Sequence, residues 1–417
     1  MNEPIFIARQ DTLEQEILPA HWLTQYKLFG EESYTFQDKG IWKKLCMSRA
    51  AANDRDIHAE ALEEMLTTFS AEHTGKWMLT VYGMDAAALE GLATMAAIAA
   101  NGTAMAAVAA NALLMHAIAN SETAMQRIAN SQTAMQRIAN STTAMDAIGR
   151  SRIARDAVQA SPYYNSCIKE NDMAIAKLAV ALANLESAGY SGMAGVAADS
   201  TAMTAVAASS VARNAISASP YYDEKIKEND MAIAKLVVGF ANLESARYSG
   251  CAGMAADSTA MTAVAASSTA MTAVAASGVA LKAIAQAYKN TANMLQFLKA
   301  VNASDTLVKR IYSTLTGATG LFGATQLGSQ DGVESANSWA TTSAAPNAFL
   351  ACACGYYSSG GSSVNVTYNG TVIAQNKTGA KQPGSVTSTN VNAITMAPST
   401  FTENGDGWLA VQKFTVK

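Results

Sequence analysis

The sequence predicts a mixed, multidomain protein. It has an α-rich N-terminal head, a mainly α elongated shaft of short repeated helices, and a small all-β C-terminal sandwich or jelly-roll-like domain. Three observations predict this. A ten-residue phrase recurs along the middle of the chain, as in SETAMQRIANSQTAMQRIANSTTAMDAIG from Ser121 to Gly149. A longer block that begins at Ser161 returns at Ser219. From about Gly317 the composition turns to Gly, Ser and Thr, and the hydrophobic period changes to two.

The head is assigned to residues 1–90. It carries Trp22, Trp42 and Trp77 and is more densely charged than the rest of the chain. Its two charged stretches, QDTLEQEILPAHWLTQYKLFG and NDRDIHAEALEEMLTTFSAEHTGKWMLTVYG, suggest helices joined by turns. His21, His58 and His73 are scattered, with no metal-ligand spacing between them, so no zinc site is expected.

The shaft begins with a decad run over residues 91–160. Met recurs at Met95, Met105, Met115, Met125, Met135 and Met145, with Ile or Val three residues after each. That spacing makes one face of a helix. Ten residues over three turns would be about 3.3 per turn, well below the relaxed 3.6, so a continuous helix would be badly overwound. Ser or Asn at each junction suggests relief by breakage, with Ser capping each new helix and Asn taking a left-handed residue at the end of the old one. The expectation is helices of about two turns that reverse at each junction and stack as a solenoid. The alternative is an overwound parallel coiled coil of several chains. The Met stripe is core packing on either account.

Residues 161–290 hold a duplicated 58-residue module. Each copy starts at Ser-Pro and contains a longer amphipathic helix, about Ile168 to Ser187 and Ile226 to Ser245. Cys167 matches Lys225, which marks a position that tolerates solvent. Cys251 matches Met193, which marks a small buried hydrophobe. The pairs Tyr163/Tyr164 and Tyr221/Tyr222 are expected to fill junctions. A helical, Gly-rich neck follows over 291–330.

The β domain is assigned to 331–417. Its strand signals include SSVNVTYNGTVIAQNKT, with the hairpin pair Asn369-Gly370, as well as NAFLACACGYY and GWLAVQKFTVK. Cys352 and Cys354 lie two apart on one strand and are expected to pack in the core. This domain has no His, and Glu403 and Asp406 fall in a Gly-rich turn, so a glycoside-cutting carboxylate pair is not expected. Tyr356, Tyr357, Tyr368, Asn369 and Asp406 are the candidate surface-binding residues, and Trp408 is expected in the core. Asn365, Asn369 and Asn376 sit in N-x-T triplets that are expected to be coincidental.

Composition narrows the function classes. A net charge of -4 supplies no basic field for nucleic acid. No apolar run nears the ~20 residues of a spanning helix. The start lacks a signal core, and five cysteines without zinc or CxxC spacing suit a reducing cytoplasm. No catalytic, cofactor-binding or metal-ligating residues are expected, and the protein is not expected to be an enzyme.

A compact head, an Ala-rich shaft of decads such as SSTAMTAVAA and NSETAMQRIA, and a terminal β domain together resemble tail fibre and appendage proteins of tailed bacteriophages. The resemblance covers the shaft, about Gly91 to Ala287. It implies a virion protein assembled in the host cytoplasm, anchored to other virion proteins by its N-terminus. The C-terminal domain would then bind a bacterial surface glycan or protein, and the fibre would commonly be a homotrimer. The alternative is a purely structural neck or tail component whose β domain contacts other virion proteins.

Overall fold

The structure is a computed structural model. It describes residues 59–417 apart from 61, 64–65, 68–73, 83, 288, 332–336, 341–346, 357–362, 376–384, 398 and 405–406. His21, His58, His73, Trp22 and Trp42 of the head lie outside the described residues. The chain forms two compact units. One runs up to Met193 and includes Ala218–Pro220; the other holds Ala194–Ser217 and Tyr221–Lys417.

The first unit contains α1 (Thr74–Tyr82), α2 (Met95–Ala100), α3 (Gly102–Ala110), α4 (Ala112–Ala119), α5 (Glu122–Ala129), α6 (Gln132–Ala139), α7 (Thr142–Arg150) and α8 (Arg152–Ala160). A π-helical turn (Tyr164–Lys169) and α9 (Asp172–Leu182) follow. Each decad is thus one helix of six to nine residues, and the coiled-coil alternative does not describe the unit. The junctions bend and do not reverse: α3 and α4 meet at 100°. A bend of that size brings the chain back over itself after three helices. Accordingly α5 packs on α2, α6 on α3, α7 on α4 and α8 on α5.

The bend is made by the serine and not by a left-handed asparagine. Ser131 is extended at φ -114°, ψ 116°, while Asn130 stays at φ -89°. No left-handed residue is required, because the serine caps both chains that meet there. Ser131 Oγ accepts from Ala134 N–H at 3.2 Å and donates to Ala99 O of the preceding turn at 2.7 Å. Ser141 repeats the bond to Ala109 O, Ser151 to Ala119 O and Ser161 to Ala129 O. One hydroxyl satisfies an orphan donor of one helix and an orphan acceptor of the helix above it. The Met and Ile/Val stripe of the decads fills the interior: Met105, Met115, Met125, Met135, Met145, Ile128 and Ile138 are all fully buried.

The second unit continues the scheme. Met193–Ala198 (α10) leads into α11 (Ser200–Ala208), α12 (Ser210–Ser217), a π-helical turn (Tyr222–Ile226), α13 (Asp230–Phe240), α14 (Cys251–Ala256), α15 (Ser258–Ala266), α16 (Ser268–Ala276) and α17 (Gly278–Gln286). Two longer helices follow, α18 (Thr291–Asn302) and α19 (Asp305–Gly317). The three-step stacking persists: α16 lies on α13, α17 on α14, α18 on α15 and α19 on α16.

The long helices of the duplicated module are shorter than the sequence suggests. Asn171 and Asn229 cap α9 and α13, and Asn184 and Asn242, at φ 59° and 57°, sit in the left-handed region just beyond their C-termini. The intervening loops are held by buried lysines. Lys177 Nζ meets Asp146 Oδ1 at 2.6 Å and the Ser187 and Ala188 carbonyls at 3.0 Å. Lys235 Nζ meets Thr204 Oγ1 at 2.8 Å and the Ser245 and Ala246 carbonyls at 3.2 Å. Both lysines read as polar in sequence, yet Lys177 is 1% and Lys235 0% exposed. Cys251 is fully buried, as its match to Met193 implies. Cys167 is also buried at 5%, which corrects its assignment to a solvent-tolerant position. Its counterpart Lys225 reaches solvent along a flexible stem, with its side chain 41% exposed.

The strands are β1 (Phe322–Asp331), β2 (Asn337–Ala340), β3 (Ala348–Tyr356), β4 (Ser363–Tyr368), β5 (Thr371–Gln375), β6 (Ala393–Met396), β7 (Ser399–Asn404) and β8 (Gly407–Val416). They form two antiparallel sheets, ordered β1-β8-β3-β6 and β2-β7-β4-β5. That strand order is a jelly roll. Cys352 and Cys354 are fully buried in it, without a disulfide.

Ser151→Ala should remove both of that side chain's hydrogen bonds and leave a buried carbonyl unpaired. The expected loss is about 1–3 kcal/mol of stability, read by chemical denaturation of the full chain.

Candidate functional site

The jelly roll is not a separate tip. A single apolar core runs from Ile233 of α13 to Phe414 of β8. Phe349 of β3 lies between Phe297 of α18 and Phe322 of β1, with ring centroids 6.3 and 6.4 Å away. Tyr312 of α19 meets Phe414 edge-on at 5.9 Å, and its hydroxyl reaches Val386 O at 3.0 Å and Gln412 Oε1 at 2.9 Å. Asn302, at the end of α18, behaves like a neighbouring strand. Its Nδ2 donates to Ile394 O at 2.7 Å and its Oδ1 accepts from Ile394 N–H at 3.0 Å.

The register places the candidate residues. Tyr356 pairs with Gly407 at one end of the sandwich, where β3, β5 and β7 finish and β4 and β8 begin. Tyr368 pairs with Ser399 at the other end, where β1 enters from α19 and β8 leaves. The five residues therefore do not form one patch. Strands of this length set the two ends roughly 17–20 Å apart. Tyr368 is 5% exposed, because the β4 alternation turns it inward with Val364 and Val366. It is a core residue and presents no ring face to a ligand, which corrects the expectation. Asn369 is exposed in the hairpin turn, and with Gly370 it takes positive φ (44° and 74°), the type I′ geometry that the pair Asn-Gly favours. Tyr357 and Asp406 lie outside the described residues, next to the strand ends Tyr356 and Gly407.

The outer face of the second sheet was not singled out from the sequence. Register puts Thr402, Asn365 and Gln375 in one cross-strand row and Thr400 beside Thr367 in the next. The alternation VNVTY in β4 carries that signal, since Val faces in and Asn and Thr face out. Asn365 Oδ1 is buried there without a hydrogen-bond partner. Among the described residues, no group of three His, Cys, Asp or Glu side chains could hold a metal ion. The Cys352 thiol is pushed well above its ordinary pKa, first by burial and then by neighbouring Cys354, so it is no nucleophile at neutral pH. No single helix among the described residues is long and apolar enough to cross a membrane.

In the first unit, Glu63 fastens the described part of the head to the helical coil. Its Oε2 accepts from Ser121 Oγ and from Thr123 N–H, and its Oε1 accepts from Thr123 Oγ1. The carboxylate thereby seats on the N-terminus of α5. The chain matches no known protein-family model, and no curated protein is similar to it.

Two predictions follow from these anchors. Burial acts to raise the Glu63 pKa, but the bonds from Ser121 and Thr123 outweigh it and hold the carboxyl below its ordinary value. A depressed folded-state pKa stabilises the fold above the ordinary value, and that contribution is lost as pH falls through the folded-state pKa. Glu63→Gln should flatten this acid-side loss in thermal melts of the full chain. Asn302→Ala should orphan two buried backbone groups of Ile394. Each costs about 1–3 kcal/mol, and amide exchange in β6 and β3 should speed up.

Proposed function

We propose that this protein is a structural fibre or appendage of a tailed-phage virion. In this reading, the N-terminal head docks on other virion proteins and the C-terminal jelly roll contacts the host surface. The observation that carries the reading is the pairing of a helical coil of ten-residue units with a terminal jelly roll, joined through one apolar core. A coil of stacked ten-residue helices, several of them tied by a serine to the turn before, extends by adding similar phrases, which suits a spacer. Jelly rolls recur in viral capsid and lectin domains, so a terminal jelly roll suits recognition of a surface glycan or protein. The homotrimer and the virion location belong to the same reading. No catalytic role is assigned.

The end of the sandwich at Tyr356 and Gly407 is the better contact surface. It faces away from the junction with α19, and Tyr357 and Asp406 adjoin it in sequence. The test uses the full chain, because α18 and α19 share the core of the jelly roll. Labelled protein should bind a subset of bacterial strains saturably. A Tyr357→Ala/Asp406→Ala variant should bind at least about tenfold more weakly, while Asn369→Asp at the other end should not change binding. Absence of binding to every strain, with co-purification in a virion subassembly, would favour a purely structural component.

A further inference from the structure

The duplication contains one cleft twice, and the two copies are not filled alike. In the first unit, Gly149, Arg150, Arg155, Asn184, Leu185 and Glu186 line a cleft of 240 Å³. In the second, the matching residues Ala207, Ala208, Arg213, Asn242, Leu243 and Glu244 line one of 570 Å³. The back wall is the same in both. Arg155 Nη1 donates to Gly149 O, and Arg213 Nη1 donates to Ala207 O in the same way. The backbone frame is also kept by an exchange of glycines: Gly149 faces Ala181 in the first copy, and Gly239 faces Ala207 in the second. A Cβ at Gly239 would stand 2.4 Å from Ala207 O.

The front of the cleft differs. In the first copy Arg150 lies across it as a fork, with Nε to Glu186 Oε2 at 3.4 Å and Nη2 to Glu186 Oε1 at 3.3 Å. These bonds hold the Glu186 carboxyl below its ordinary pKa. In the second copy Ala208 replaces Arg150, and Ser210 replaces Arg152. The acid remains as Glu244, exposed on the rim, and no ion pair reaches it among the described residues. The space that the arginine side chain takes up in the first copy is open.

We propose that the second cleft is a socket for an arginine side chain presented by another protein chain, which pairs with Glu244 as Arg150 pairs with Glu186. The first copy supplies the template for the ligand chemistry. It shows a planar guanidinium gripping this carboxylate with two N–H groups while a second arginine, Arg155, sits behind it. Arg213 is thus no bar to a cationic guest. A guanidinium fits the fork geometry, and an ammonium does not. Asn242 and Ser245 on the same wall offer further polar contacts. The pair is solvent-exposed, so one arginine contributes modestly and salt weakens it. Its role is to fix the register of a larger contact.

The test is a methyl-NMR titration of the full chain, reading Ala208 and Leu243, with N-acetyl-L-arginine amide as the probe and its citrulline counterpart as the uncharged control. The arginine probe should give saturable shifts at both residues that shrink with added salt, and the citrulline probe should give none. Ala208→Arg, which rebuilds the first copy's closure and is read at Leu243 alone, and Glu244→Gln should each weaken the arginine response at least about tenfold. Both substitutions are on the surface and should leave the fold intact. Equal shifts from citrulline, a response that survives Ala208→Arg, or no response in the unsubstituted protein would overturn the proposal.

Discussion

The architecture depends on one hydroxyl used twice. Ser131, Ser141 and Ser151 each cap the helix that begins there and donate to a carbonyl near the end of the helix one turn earlier, while Asn101, Asn111, Asp199 and Asp257 are the caps at other junctions. Two-turn helices are unstable alone, because nucleation costs more than so few internal bonds return. Their ends are also almost all of them, since four donors and four acceptors per helix lack partners. The serine meets that shortage at both ends and ties successive turns of the coil together. In α18 and α19 the tie to the earlier turn comes from within the helix and not from its cap: Asn293 donates to Ala255 O and Thr314 to Ala275 O.

The interior suits such close stacking. Alanine lets backbones approach, and methionine fills the irregular space left between three helices that meet at steep angles. Larger side chains would hold the turns apart, and the serine could not span the gap. The phrase is therefore restricted at its cap and at four buried positions, as at Ala124, Met125, Ile128 and Ala129, and the exposed positions vary between repeats.

The duplicated module shows how much change this frame tolerates when partners change together. The glycine moves from one side of a helix contact to the other, and the buried lysine keeps its two loop carbonyls while its third partner changes from Asp146 to Thr204. Burial lowers the Lys235 pKa in the copy without the carboxylate. The loop it braces is the same in both copies, so hydrogen bonding to the carbonyls, more than the ion pair, sets the loop's shape.

The sequence by itself determined the length and boundaries of the decad helices, the buried Met and Ile positions, the Asn369-Gly370 turn and the β class of the C-terminal domain. Each of these follows from local spacing or from the conformational preference of one residue. Tertiary structure alone decided the rest. The tie from Ser131, Ser141, Ser151 and Ser161 to the earlier turn is a bond between residues 32 apart, which no local pattern encodes. The inward face of Tyr368 was within reach of the period-two alternation it shares with Val364 and Val366, whereas the shared core of α18, α19 and the jelly roll depends on contacts across nearly a hundred residues. The candidate surface was legible only in part for the same reason: residues close in sequence or alike in chemistry fell at opposite ends of the sandwich, while the polar rows on the second sheet needed three strands to assemble them.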